Sequence, residues 1–123
     1  MNQNRFTQKS MEALRAMQTV ASENGNPQIE PVHLLSALVG QENGLIGNLI
    51  RQAEIDPANV QAKIDEAIAR LPKVTGADSD RIYLSRTAEA VLNEAEAEAQ
   101  KMKDEYISVE HLMLALFQRA IRP

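Results

Sequence analysis

Residues 29–38, IEPVHLLSAL, return seventy-eight positions later as residues 107–116, ISVEHLMLAL. Sliding the chain against itself by that interval aligns Leu14 with Leu92, Ala21 with Ala99, Ile29 with Ile107, His33 with His111, Leu34 with Leu112, Ala37 with Ala115 and Leu38 with Leu116, without a gap. Self-similarity at a fixed interval marks a duplicated supersecondary unit whose copies bury a shared core. This constrains the fold more than any other feature, because each reading of one copy must also hold for the other.

The first copy reads as four helices. Thr7 is an N-cap, after which Ser10, Ala13, Leu14, Met17 and Ala21 recur at helical steps until Asn24-Gly25-Asn26-Pro27 breaks the pattern. Glu30-Pro31 opens a second helix with proline at a position that needs no N–H, and Leu34, Leu35 and Leu38 form its inward face up to Gly40. Leu45, Ile46, Leu49 and Ile50 mark a third helix after Gly44. Asp56-Pro57 starts a fourth, with Val60, Ile64, Ala67, Ile68 and Leu71 on one face.

PKVTGADSDRI, from Pro72 to Ile82, has turn formers and no helical period, so it reads as a linker. Ser85 caps the fifth helix, with Ala88, Val91, Leu92, Ala95, Ala99 and Met102 turned inward and Glu89, Glu94, Glu96 and Glu98 mostly off that stripe. The sixth begins after Ser108 and runs to about Ala120. The expected fold is all-α: one domain over residues 1–123, with repeat one at 6–71, a linker at 72–83 and a partial repeat two at 84–123.

Composition narrows the function. With two Tyr, two Phe and no Trp, the core must come from aliphatic residues and Met. Thirteen scattered Lys and Arg against seventeen Asp and Glu give a net charge of −4, which argues against nucleic-acid binding. The absence of Cys excludes disulfides, thiolate metal ligands and a thiol nucleophile. No apolar run is long enough for a membrane span and the first ten residues lack a signal-peptide core, so the chain reads as soluble and cytoplasmic.

His33 and His111 could form a metal or acid/base pair, but each stands near the third position of a helix among core leucines, and a ligand site needs three or more convergent donors. They read as structural. Glu94, Glu96 and Glu98 with Lys101 and Lys103 could suggest a hydrolase-like cluster, yet alternate helix residues diverge, so they read as a solvated acidic face. Met11 and Val20 are more informative: their counterparts are Glu89 and Glu98, so the duplication marks positions where packing does not demand a hydrophobe. With Phe6 they are expected to offer an apolar patch on the first helix, and Met suits tolerant binding of unfolded segments.

Two copies of a Thr/Ser-capped helix followed by a helix beginning I-x-x-x-H-L-L/M-x-A-L resemble the N-terminal repeat domain of Clp/Hsp100 ATPases. RLPKVTG (Arg70 to Gly76), FTQKSMEAL and IEPVHLLSALVGQENG resemble the ClpB disaggregase branch in particular, and the resemblance covers essentially the whole chain. It implies a non-catalytic domain that engages unfolded or aggregated proteins for AAA+ modules of the same polypeptide, arranged as a hexamer that binds ATP and Mg. It also implies substrate-binding roles at the starts of the first and sixth helices, on Thr7, Asp104 and Glu110. An adaptor-docking or self-association module is the alternative. This chain has no phosphate-binding G-x-x-x-x-G-K-[ST] sequence, so no cofactor is expected in it. Family repeats have four helices and the second copy here shows two, so the expectation is either that the second repeat is truncated or that its apolar surface is covered in another way, as by self-association with a second chain.

Overall fold

The computed structural model describes residues 5–74 and 82–121. Its helices are α1 (Gln8–Glu23), α2 (Pro31–Val39), α3 (Leu45–Gln52), α4 (Pro57–Ala69), α5 (Arg86–Lys101) and α6 (Val109–Ile121), with two-residue strands β1 (Gln28–Ile29) and β2 (Tyr83–Leu84). The duplication holds to the residue: both ends of α5 lie seventy-eight positions after those of α1, as does the start of α6 after that of α2.

Local chemistry explains the helix starts. Thr7 Oγ1 accepts the N–H of Ser10 at 3.1 Å, Ser85 Oγ that of Ala88 at 3.0 Å, and Asp56 Oδ1 that of Ala58 at 3.0 Å, each satisfying a donor that the first turn leaves without a partner. The ends of α1 and α5 are also duplicates. Beyond the α1 cap, Gly25 takes a φ of 66°, and the N–H of Asn26 returns to the carbonyl of Ala21. Beyond the α5 cap, Lys103 takes a φ of 59°, and the N–H of Asp104 returns to Ala99. Both are left-handed helix terminations that close the last carbonyls.

The two copies are tied together by exchange. In the parallel β1–β2 pair Ile29 lies against Leu84, and a separate parallel bridge joins Phe6 to Ile107. Adding the repeat interval to Phe6 gives Leu84, and adding it to Ile29 gives Ile107, so the segment entering each copy's first helix pairs with the segment entering the other copy's second helix. The N–H of Thr7 donates to Ile107 O at 3.1 Å, and that of Ser85 donates to Ile29 O at 3.0 Å. The arrangement is a pseudo-twofold interlock.

Within it α1 packs on α2 and α5 on α6, while α2 also meets α5 and α6. Ala13, Ala21, Ala95 and Ala99, all fully buried, let backbones approach, and Leu34, Leu38, Val91 and Leu112 fill the centre. α3 and α4 lie on α2, and α3 reaches α6.

Several expectations are corrected. Met102 is not inward: it is the C-cap of α5, where the chain turns away, and is 49% exposed. Glu98 is not on a solvated face but buried, accepting from Gln118 Nε2 at 2.9 Å, with Lys101 Nζ at 3.5 Å. The first part of the linker is fixed to the α1–α2 turn, since Asn26 Nδ2 donates to Pro72 O and Val74 N–H donates to Gly25 O. Residues 75–81 lie outside the described residues.

Candidate functional site

Both histidines occupy the third position of their helices and use both ring nitrogens. His33 Nδ1 accepts the N–H of Glu30 at 2.8 Å, and His111 Nδ1 accepts that of Ser108 at 2.8 Å. A nitrogen that accepts a backbone N–H carries no proton, so the hydrogen sits on Nε2. His33 Nε2 therefore donates to Asn26 Oδ1 at 2.9 Å, and His111 Nε2 to Asp104 Oδ2 at 2.9 Å. Each ring joins the exit of one helix to the start of the next. Burial pushes the His33 imidazole below its ordinary value of 6.5, against a smaller opposing effect of the Glu30 carboxylate and backbone. Among the described residues no group of three or more His, Asp or Glu could hold a metal ion.

Asp104 thus faces His111, with its own side chain half exposed. Thr7 is joined to the same junction: Ile107 O accepts from the Thr7 N–H, and Ser10 Oγ donates to it at 2.7 Å. The structure brings Thr7 and Asp104 to one helix-start junction, while Glu110 stands exposed in the first turn of α6.

Phe6, Met11 and Val20 do not form one exposed patch. Phe6 is buried in the core beside its bridge to Ile107. Met11 and Val20 are half-buried against the core, and nine positions at about 100° each place them on opposite faces of α1.

The open apolar surface lies elsewhere. A groove of about 780 Å³ runs between α2, α3 and α6, walled by Val32, Leu35, Ile46, Leu49, Met113 and Phe117, and Thr87 and Arg119 are its only polar lining residues among those described. Phe117 is 61% exposed, whereas Val39, its counterpart at the end of α2 and itself a lining residue of the groove, is 7% exposed. A sequence signal for the groove is the pair Val39 and Phe117, a valine in the first copy and a larger ring in the second, both of which line it.

Residues 5–121 match the family described as the Clp repeat (R) N-terminal domain. The chain is 41% identical over 110 residues to the chaperone protein ClpB of Mycobacterium tuberculosis (strain H37Rv), covering 89% of this chain and 13% of that protein. To ClpB 2 of Nostoc sp. it is 38% identical over 114 residues, covering 93% of this chain and 13% of that one. It therefore spans about an eighth of the length of these curated relatives. The Hsp104 N-terminal domain from Candida albicans has the same fold, with a TM-score of 0.82 at 24% identity, over 90% of this chain and 72% of that one.

Proposed function

We propose, from the premise that the chain belongs to the Clp repeat (R) N-terminal domain family, that it is the non-catalytic recognition domain of a ClpB-type disaggregase. In this reading it holds exposed apolar stretches of unfolded or aggregated polypeptides and passes them to ATP-hydrolysing AAA+ modules of a longer, ring-forming polypeptide. The supporting observation is the groove between α2, α3 and α6, nearly devoid of polar lining. Such a surface recognises apolar side chains by area and shape and sets no register through hydrogen bonds, which suits a sequence-tolerant and weak grip. A segment held too tightly could not be handed on.

An unfolded protein that cannot refold, such as a reduced and carboxymethylated one, is expected to shift amides of α2, α3 and α6 in an NMR titration, and its folded form is not. Phe117→Ala removes an exposed ring, so it should change stability by no more than about 0.5 kcal/mol while weakening that interaction several-fold. Shifts confined to α1 around Met11 and Val20 would move the site there, and no shift with either form would end the reading.

Phe117 also favours a second reading, self-association through the open face of α6. Sedimentation of the 123-residue chain at rising concentration separates the two: a dimer abolished by Phe117→Ala supports it, and a monomer throughout removes it.

A further inference from the structure

We infer that Asp104 is a positioning residue that sets the α6 wall of the groove through His111, and that its carboxylate is used as a hydrogen-bond acceptor with its charge dispensable. This role rests on the groove reading above, and the duplication supplies an internal control. In the first copy the same place is held by Asn26, which is neutral, and its Oδ1 accepts from His33 Nε2 at the same 2.9 Å as Asp104 Oδ2 accepts from His111. The backbone junction around the two acceptors is repeated, while Asn26 is buried and also donates to Pro72 O and the Asp104 side chain is half exposed. Each is the residue after a left-handed helix termination, its own N–H returns to the helix it leaves, and its histidine takes a backbone N–H on Nδ1 at the start of the next helix. One fold thus solves the same geometric problem once with an amide and once with a carboxylate.

The consequence reaches the groove along α6. His111 is followed on that helix by Met113 and Phe117, which wall the groove. The residue just before Ser108, Ile107, is fully buried and presents its carbonyl to Thr7 and Ser10 of α1. Asp104 therefore holds the His111 ring, the ring holds the first turn of α6, and that turn fixes both the junction with α1 and the direction of the groove wall. Without the acceptor, the Nε2 hydrogen loses its protein partner and the preference for that tautomer falls, which frees Nδ1 from its fixed role as acceptor for Ser108. A loosened α6 start lowers the fraction of molecules with the wall in place, and apparent affinity falls with that fraction.

The test compares Asp104→Ala with Asp104→Asn in three measurements. These are the ¹⁵N signature of the His111 ring, the melting temperature, and affinity for a reduced, carboxymethylated protein. The wild-type ring should show a protonated Nε2 and a bare Nδ1. Asp104→Ala should blur that signature, lower the melting temperature and weaken binding by about tenfold, the equivalent of one net hydrogen bond of about 1.4 kcal/mol. Asp104→Asn should restore all three, with affinity within about twofold of wild type. The inference is overturned if Asp104→Asn keeps the ring signature but binds as poorly as Asp104→Ala, for then the charge itself meets the ligand. It is equally overturned if Asp104→Ala leaves ring and melting temperature unchanged. Should the wild type bind no unfolded protein, the proposed function fails, and the ring and melting comparison still decides whether Asp104 positions α6.

Discussion

His33 must keep Nδ1 bare to accept the Glu30 N–H, so protonating the ring breaks a helix start as well as charging a buried group. Its folded pKa is depressed below 6.5 by burial. The unfolded chain therefore binds the proton more readily, so stability is whole above pH 6.5 and is lost as pH falls from there toward the lower folded value. His33→Gln keeps an acceptor where a capping glutamine would place one and removes the titration. Urea midpoints should show it less stable at pH 7.5, by about 1–3 kcal/mol for the lost bond to Asn26. Its stability should also fall less steeply than that of wild type between pH 6.5 and about 5, where carboxylates remain ionised. Parallel slopes would assign the acid sensitivity to another group. The sequence placed both histidines as structural without revealing this, because the partners stand seven positions upstream across a turn, at Asn26 and Asp104. Neither helical nor strand periodicity spans a turn.

At the scale of elements, helix starts were legible and helix ends less so. Thr7, Asp56 and Ser85 cap as expected because an N-cap needs one side-chain oxygen at one place. The α5 terminus at Met102 departs from the sequence expectation, since Lys103 gives no signal of the left-handed turn it adopts, whereas Gly25 announces the same turn in the first copy. The mismatch carries a prediction. A side chain at φ 59° is strained where glycine is not, so Lys103→Gly should stabilise the chain by about 1 kcal/mol in urea unfolding. Gly25→Ala should destabilise it by a similar amount for its φ of 66°, with room for a Cβ, whose nearest neighbour would be Val74 O at 3.7 Å. A neutral or negative effect of Lys103→Gly would mean that the lysine makes a compensating contact. Glu98 departs from expectation for a different reason: Gln118, its hydrogen-bond partner, comes from α6, and a tertiary contact overrides the polar pattern of α5.

For the whole molecule the duplication was readable but the interlock was not, because two-residue strands have no alternation to detect. The interlock has a consequence that helix-by-helix reading would miss. If each copy packed as a separate unit, residues 1–74 would hold α1 to α4 with all their local caps and should fold. Exchange predicts the opposite. That segment alone loses the Ile107 carbonyl that receives Thr7 N–H and Ser10 Oγ, and the strand Tyr83–Leu84 that pairs with β1. It also exposes the side of α2 that meets α5 and α6, including Leu38, which lines one groove with Val91 and Leu116. Uncovering buried leucines costs about 1.5–3 kcal/mol each, against a total stability of about 5–15 kcal/mol for a domain. Residues 1–74 should therefore give a collapsed amide spectrum and no cooperative urea transition, and adding residues 82–123 should restore dispersion at one equivalent. In the intact chain, ring signals of His33 and His111 report one copy each, and they should disappear at a single urea midpoint. Two separated midpoints, or a dispersed spectrum from residues 1–74 alone, would show that the exchanged strands decorate two independent units and do not hold them together.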